Sequence, residues 1–114
     1  TQRLPRIVGL SNAYKILLSG ISIKAEEAQR IGLVSDVFKE DELINKASDF
    51  AKKINNNSPH CTSMIIELVN KGMSLDLKGA LKLESDYFQK VFDNNDKDIG
   101  IQAFLNKELP KFND

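Results

Sequence analysis

Few residues of this chain have the type and spacing to do chemistry. In "AFLNKELPKF", Phe104 and Lys107 stand at i and i+3, which places them side by side on one helix face. An aromatic ring beside an ammonium can cradle a nucleotide, the base stacking on the ring and a phosphate pairing with the cation. By spacing alone, a core Phe and a solvated Lys is the simpler reading. Glu84 lies between Leu81 and Phe88 in an apolar stripe. A carboxylate buried there must be paired or carry a raised pKa, and a structural ion pair is favoured over an acid or base. Arg3 and Arg6, one turn apart in "TQRLPR", could clamp a phosphate or carboxylate, although surface pairs are commoner. His60, beside Pro59, reads as a surface or capping residue without metal-binding partners. Cys61 has apolar neighbours and reads as a small core residue.

The elements that position these groups are helices. Thr1 to Val8 forms a short amphipathic segment closed by Gly9, and Ser11 can cap a helix over Asn12 to Ser19 that Gly20 stops. Tyr14, Leu17 and Leu18 share its face. Ala25, Ala28 and Ile31 mark a short helix ended by Gly32. Val34 to Phe38 alternates weakly and is the one plausible strand, too little to build a sheet. In "EDELINKASDFAKKI", Leu43, Ala47, Phe50, Ala51 and Ile54 make a clean helical stripe. Burying Leu43, Phe50 and Ile54 should contribute about 1.5–3 kcal/mol each. Ser58 and Pro59 open the next helix, lined by Cys61, Met64, Ile65, Leu68 and Val69. Asp76 caps another, with Leu77, Ala80, Leu81, Phe88 and Val91 inward. Asn94 caps a last helix carrying Ile101, Phe104 and Leu105, stopped by Pro110.

Composition narrows the function classes. The 114 residues suffice for one domain at most, and sixteen basic residues balance sixteen acidic ones. Neutral balance gives no support for a nucleic-acid or membrane partner, and no apolar run approaches a membrane span. A single cysteine excludes an internal disulfide or a cysteine metal cluster and fits a reducing compartment. No Ser/His/Asp set, glycine-rich phosphate loop or metal-ligand spacing is visible. The residues themselves give a mainly α domain of five or six helices.

Four stretches in order, "TQRLPRIVGLSNAYKILLSG", "AEEAQRIGLVSDVF", "AKKINNNSP" and "GIQAFLNKELPKF", resemble the C-terminal part of the crotonase family, the enoyl-CoA hydratases and isomerases. The resemblance covers essentially the whole chain. In that family "TQRL" follows a glycine-rich "PGxGG" segment, so the resemblance implies that residues 1–114 are a helical, oligomerising C-terminal region and that the N-terminal spiral core is absent. It also implies an acyl-CoA substrate without a bound cofactor and assembly into trimers or hexamers. A cytoplasmic enoyl-CoA hydratase acting in fatty-acid β-oxidation or a related pathway is the expected parent.

Such enzymes hold the thioester oxygen with two backbone N–H groups and use two glutamates as general acid and base. The resemblance places all four upstream of Thr1. None of Glu26, Glu27, Glu40, Glu42, Glu67, Glu84 or Glu108 matches them, so no catalytic residue and no metal ligand is expected here, and the fragment alone is expected to be inactive. The family's aromatic and lysine near the CoA adenine and 3′-phosphate fall on Phe104 and Lys107. The sequence departs from the family in "KELP" where "KRKP" is common, since Glu108 opposes a phosphate's charge. It departs again at Lys24, where a capping Ser, Thr or Asp is usual and Ser22 could substitute. Isomerisation, decarboxylation and dehalogenation also run on this fold. The alternative from another class is a stand-alone, non-catalytic helical interaction module.

Overall fold

A chain that meets Gly9 in mid-helix must bend there. Gly9 has φ 77° and ψ 162°, a combination essentially reserved for glycine, inside α1 (Arg3–Ser19). Val8 and Ala13 are buried on either side of the bend, and the Asn12 side-chain amide donates to the Val8 carbonyl at 3.0 Å. The break at Gly9 agrees with the sequence reading. Ser11, expected to start the second segment, instead lies inside it, because helical residues resume directly after the glycine. Pro5 costs no hydrogen bond in the first turn, where N–H groups lack intrahelical partners. Gly20, left-handed at φ 63°, ends α1.

The computed structural model describes residues 1–112. These hold five further helices: α2 (Ala25–Arg30), α3 (Glu40–Asn55), α4 (Pro59–Gly72), α5 (Leu77–Phe92) and α6 (Asp96–Asn106). The mainly α reading holds, and the described residues contain no strand. Val34 to Phe38 forms irregular chain instead. Its start is taken up in closing α2: the Leu33 and Val34 N–H groups donate to the Ala28 carbonyl, and Gln29 donates to the Ser35 carbonyl at 3.1 Å. A segment spent this way, with no strand beside it, has nothing to pair with. The α2 helix begins at Lys24 without a side-chain cap, so Ser22 does not substitute. Glu26 and Glu27 in the first turn suit the helix dipole, and Arg30 forks onto Glu27 at 2.6 and 2.7 Å.

The chain forms two compact units, Thr1–Ala47 and Ser48–Asp114, with the boundary inside α3. Acidic residues at the start of α3 and lysines at its end match its dipole. Its apolar stripe exists, but no residue of the helix is buried; Phe50 is 65% exposed. The stabilisation expected from burying Leu43, Phe50 and Ile54 is therefore not realised within this chain. Tyr14, Leu17 and Leu18 of α1 are exposed as well.

In the second unit α4 and α5 pack as an antiparallel hairpin joined by Met73–Asp76. Both start on working caps. Ser58 Oγ accepts from the Cys61 N–H at 3.0 Å, and Asp76 Oδ1 accepts from the Gly79 N–H at 2.9 Å. Each cap contributes about 1 kcal/mol. Met64 and Tyr87 fill the interface, with Cys61, Leu68, Ala80, Leu83 and Val91 half-buried. The inward face of α5 is therefore Ala80, Leu83, Tyr87 and Val91, whereas the sequence reading turned Leu77, Leu81 and Phe88 inward. Those three are exposed. Tyr87 satisfies both demands of burial: its ring packs while its hydroxyl keeps a polar partner.

Candidate functional site

The last helix carries the pair singled out for nucleotide binding. Its N-cap is Asn95, one residue later than the expected Asn94, and makes no side-chain cap; the Asn94 side-chain oxygen accepts from the Asp96 N–H at 2.9 Å just outside the helix. Asp96 and Asp98 put negative charge at the positive end of the helix. Ser58, a buried polar residue 4% exposed, donates its hydroxyl hydrogen to Asp96 while its oxygen caps α4. The Lys97 ammonium lies 4.9 Å from the Phe92 ring centre on α5. Beyond this first turn the covered face of α6 is small, consisting of half-buried Ile99 and Gly100 and buried Ala103.

Phe104 is 83% exposed, so the core reading of this ring fails. Lys107 is exposed too, but it does not sit on the helix face with Phe104. It is the residue that ends the helix, left-handed at φ 56° and ψ 39°. Its N–H donates to the Phe104 carbonyl at 3.2 Å, and the Glu108 N–H donates to the Ala103 carbonyl at 2.9 Å. This is the two-bond closure at which glycine is usual. Among the described residues Lys107 is the one non-glycine with positive φ, and a side chain there costs about 1–2 kcal/mol. No ion pair of Lys107 occurs among the described residues. An open ring and an exposed ammonium, each free of such a contact among the described residues, can stack on a base and hold a phosphate oxygen. Glu108, exposed and adjacent, works against the second role.

The other candidates separate. Glu84 is exposed, and no ion pair of it occurs among the described residues, so the expected structural pair is not made. Its face of α5 is the open one, and water meets the charge directly. It stands at the rim of an apolar slot of about 300 Å³ lined by Cys61, Met64, Ile65, Leu68, Tyr87, Phe88 and Val91. Cys61 is half-buried in that slot and His60 is exposed. The arginines form no clamp: Arg6 turns its guanidinium back onto the Gln2 carbonyl at 2.7 Å and the Gln2 side chain at 3.2 Å. Arg3 lines an open depression with Thr1, Gln2, Leu4, Ile7 and Leu33.

One polar cluster was not read from the sequence. The Lys71 ammonium donates to Glu67 and, at 3.2 Å, to the Tyr87 hydroxyl, while the Lys90 ammonium lies 4.8 Å from the Tyr87 ring centre. The Lys71 hydrogen bond holds the Glu67 carboxyl below its ordinary range, with a further contribution from Tyr87. The same bond to Glu67, then Tyr87, raises Lys71. Glu67 and Lys71 were visible as an i,i+4 pair. That Tyr87 joins them depends on the register of α5 against α4, which carries no local signal.

Residues 1–114 match the family described as Enoyl-CoA hydratase/isomerase. A short-chain-enoyl-CoA hydratase of Clostridium acetobutylicum is 39% identical over 107 residues, covering 94% of this chain and 41% of that protein. A probable enoyl-CoA hydratase of Bacillus subtilis is 41% identical over 113 residues, covering 98% of this chain and 44% of that protein. The crystal structure of an enoyl-CoA hydratase from Bacillus anthracis superimposes with a TM-score of 0.94 at 34% identity, covering 97% of this chain and 43% of that one. The chain thus spans about two-fifths of the length of the curated relatives it matches. Its helices, their order and its sequence agree with one family along the whole length, and the chain belongs to the enoyl-CoA hydratase/isomerase family.

Proposed function

We propose that residues 1–114 are the C-terminal helical part of a longer enoyl-CoA hydratase that adds water to a trans-2-enoyl-CoA, in fatty-acid β-oxidation or a related pathway. The observation that carries the reading is the 39% identity to a short-chain-enoyl-CoA hydratase across 94% of this chain. In this reading the catalytic glutamates and the oxyanion-hole amides belong to the part of the enzyme before Thr1. The present residues contribute subunit packing in a trimer or hexamer and one wall of the acyl-CoA site. Phe104 stacks on the adenine of CoA and Lys107 takes the 3′-phosphate. Their exposure supports those roles, since a ring and an ammonium turned to solvent are free to meet a ligand. The enzyme works in the cytoplasm and needs no bound cofactor.

The apolar surface supports the packing role. Phe50, Leu81, Phe88 and Leu18 are all exposed, and large apolar side chains left open favour association. The isolated 114 residues should therefore self-associate at micromolar concentration, and a strictly monomeric species by light scattering counts against this part of the reading. The same residues alone should show no hydration of a short-chain enoyl-CoA. The deciding experiment is the intact mass of the native protein together with a hydration assay on it. A mass of at least twice 12.8 kDa with turnover supports the enzyme. A native mass of 12.8 kDa without turnover sinks it in favour of a non-catalytic helical module.

A further inference from the structure

Ser58 is a buried polar side chain of the second unit, and it does two things at once. Its oxygen accepts the Cys61 N–H and so closes the start of α4. Its hydrogen goes to the carboxylate of Asp96, in the first turn of α6, 38 residues along the chain. Asp96 thereby sits against the positive ends of two helices, its own and α4. The second directional contact of α6, Lys97 over the Phe92 ring, is at the same turn. Further along, α6 turns Ile99, Gly100 and Ala103 inward. Of these only Ile99 is large enough to interlock, and it lies within one turn of Asp96; Gly100 and Ala103 beyond it allow close approach but do little to fix the tilt of the helix.

We propose that Ser58 and Asp96 are positioning residues for Phe104 and Lys107. The hydrogen bond between them sets the direction in which α6 leaves the hairpin. The ring of Phe104 begins about 12 Å beyond Asp96 along the helix, and a tilt of about 10° at the first turn displaces it by about 2 Å. A displacement of that size spoils a stacked, ion-paired ligand geometry while leaving the helix folded. This inference rests on the reading of Phe104 and Lys107 as the CoA contacts.

The test uses the full-length protein and two probes, CoA and 3′-dephospho-CoA, whose binding is measured by calorimetry. The 3′-phosphate preference reports Lys107 and is insensitive to a general loss of folded protein, which weakens both probes alike. Wild type should prefer CoA by about fivefold to tenfold, and Lys107→Ala should remove that preference. Ser58→Ala should also shrink it toward unity, while Ser58→Thr, which keeps the hydroxyl, should retain it. Adding Ser58→Ala to Lys107→Ala should lower the preference no further. Should Ser58→Ala fail to fold, Asp96→Ala removes the acceptor of the same hydrogen bond from the α6 side and is expected to reduce the preference as well.

An undiminished preference in Ser58→Ala or in folded Asp96→Ala, alongside its loss in Lys107→Ala, overturns the positioning role and leaves the CoA reading standing. An undiminished preference in Lys107→Ala overturns the CoA reading itself, and the positioning role with it.

Discussion

The α4–α5 hairpin and α6 belong to the same compact unit but are held in different ways. The hairpin is fixed along its length: Met64 and Tyr87 fill its interface, a cap opens each helix, and Lys71 ties Tyr87 from across the gap. The last helix has its directional contacts at one turn and a small apolar face after it. The difference separates a part fixed along its length from a part fixed mainly at one end. Phe104 on α6 and Lys107 at its end, the two residues proposed to meet CoA, are both exposed.

Substitutions can break that comparison. The largest effect is expected from Tyr87→Ala, which empties the hairpin interface and orphans the Lys71 contact. It should cost about 3–5 kcal/mol in urea unfolding. Phe104→Ala removes an aromatic of similar size from a site 83% exposed and should stay within about 0.5 kcal/mol. Equal losses would mean that α6 is as much a part of the core as the hairpin. Next comes Ser58→Ala, which removes a cap and the partner of a carboxylate together. It should cost about 2 kcal/mol, roughly twice the loss from Asp76→Ala, which removes a cap alone.

A smaller effect, with the opposite sign, is expected at the far end of α6. Lys107→Gly relieves a left-handed lysine and should raise stability by about 1 kcal/mol, read as a higher unfolding midpoint. If the lysine is kept for its side chain, the same variant should bind CoA less well. A stabilised variant with unchanged CoA affinity would remove the ligand reason for a strained residue.

The features read correctly from sequence are local ones. Ser58 and Asp76 as caps, the break at Gly9 and the stops at Gly20 and Gly32 each depend on a few neighbouring residues. The errors concern which surface meets what. The α3 stripe is regular, yet periodicity says only that one face is apolar, not that a partner for it lies within 114 residues. On α5 two apolar rows run side by side, and α4 chose the row with Tyr87 over the row with Leu81 and Phe88. That choice also left Glu84 in water instead of in an ion pair. At the candidate site, the identity of Phe104 and Lys107 came from resemblance, and spacing alone misplaced the lysine. A helix that closes one residue early turns an i,i+3 neighbour into a cap.

The smallest expected effect is a pH dependence confined to the hairpin. Hydrogen bonding to Lys71 keeps Glu67 below its ordinary 4.5, so its contribution is present above 4.5 and disappears as the pH falls through the lowered value. Lys71 is raised above its ordinary 10.5, so its side of the pair is complete below 10.5 and is lost only as the pH rises through the raised value. Glu67→Gln should therefore be less stable than wild type near neutrality, and the gap should close on the acid side of 4.5. The gap itself should be small, because both groups face solvent and water screens them. Hydrogen exchange can assign it: amides of α4 and α5 should show the change while those of α6 do not. Equal changes in all three helices would show that they open together, and the contrast between a hairpin fixed along its length and a helix fixed mainly at one end would have to be given up.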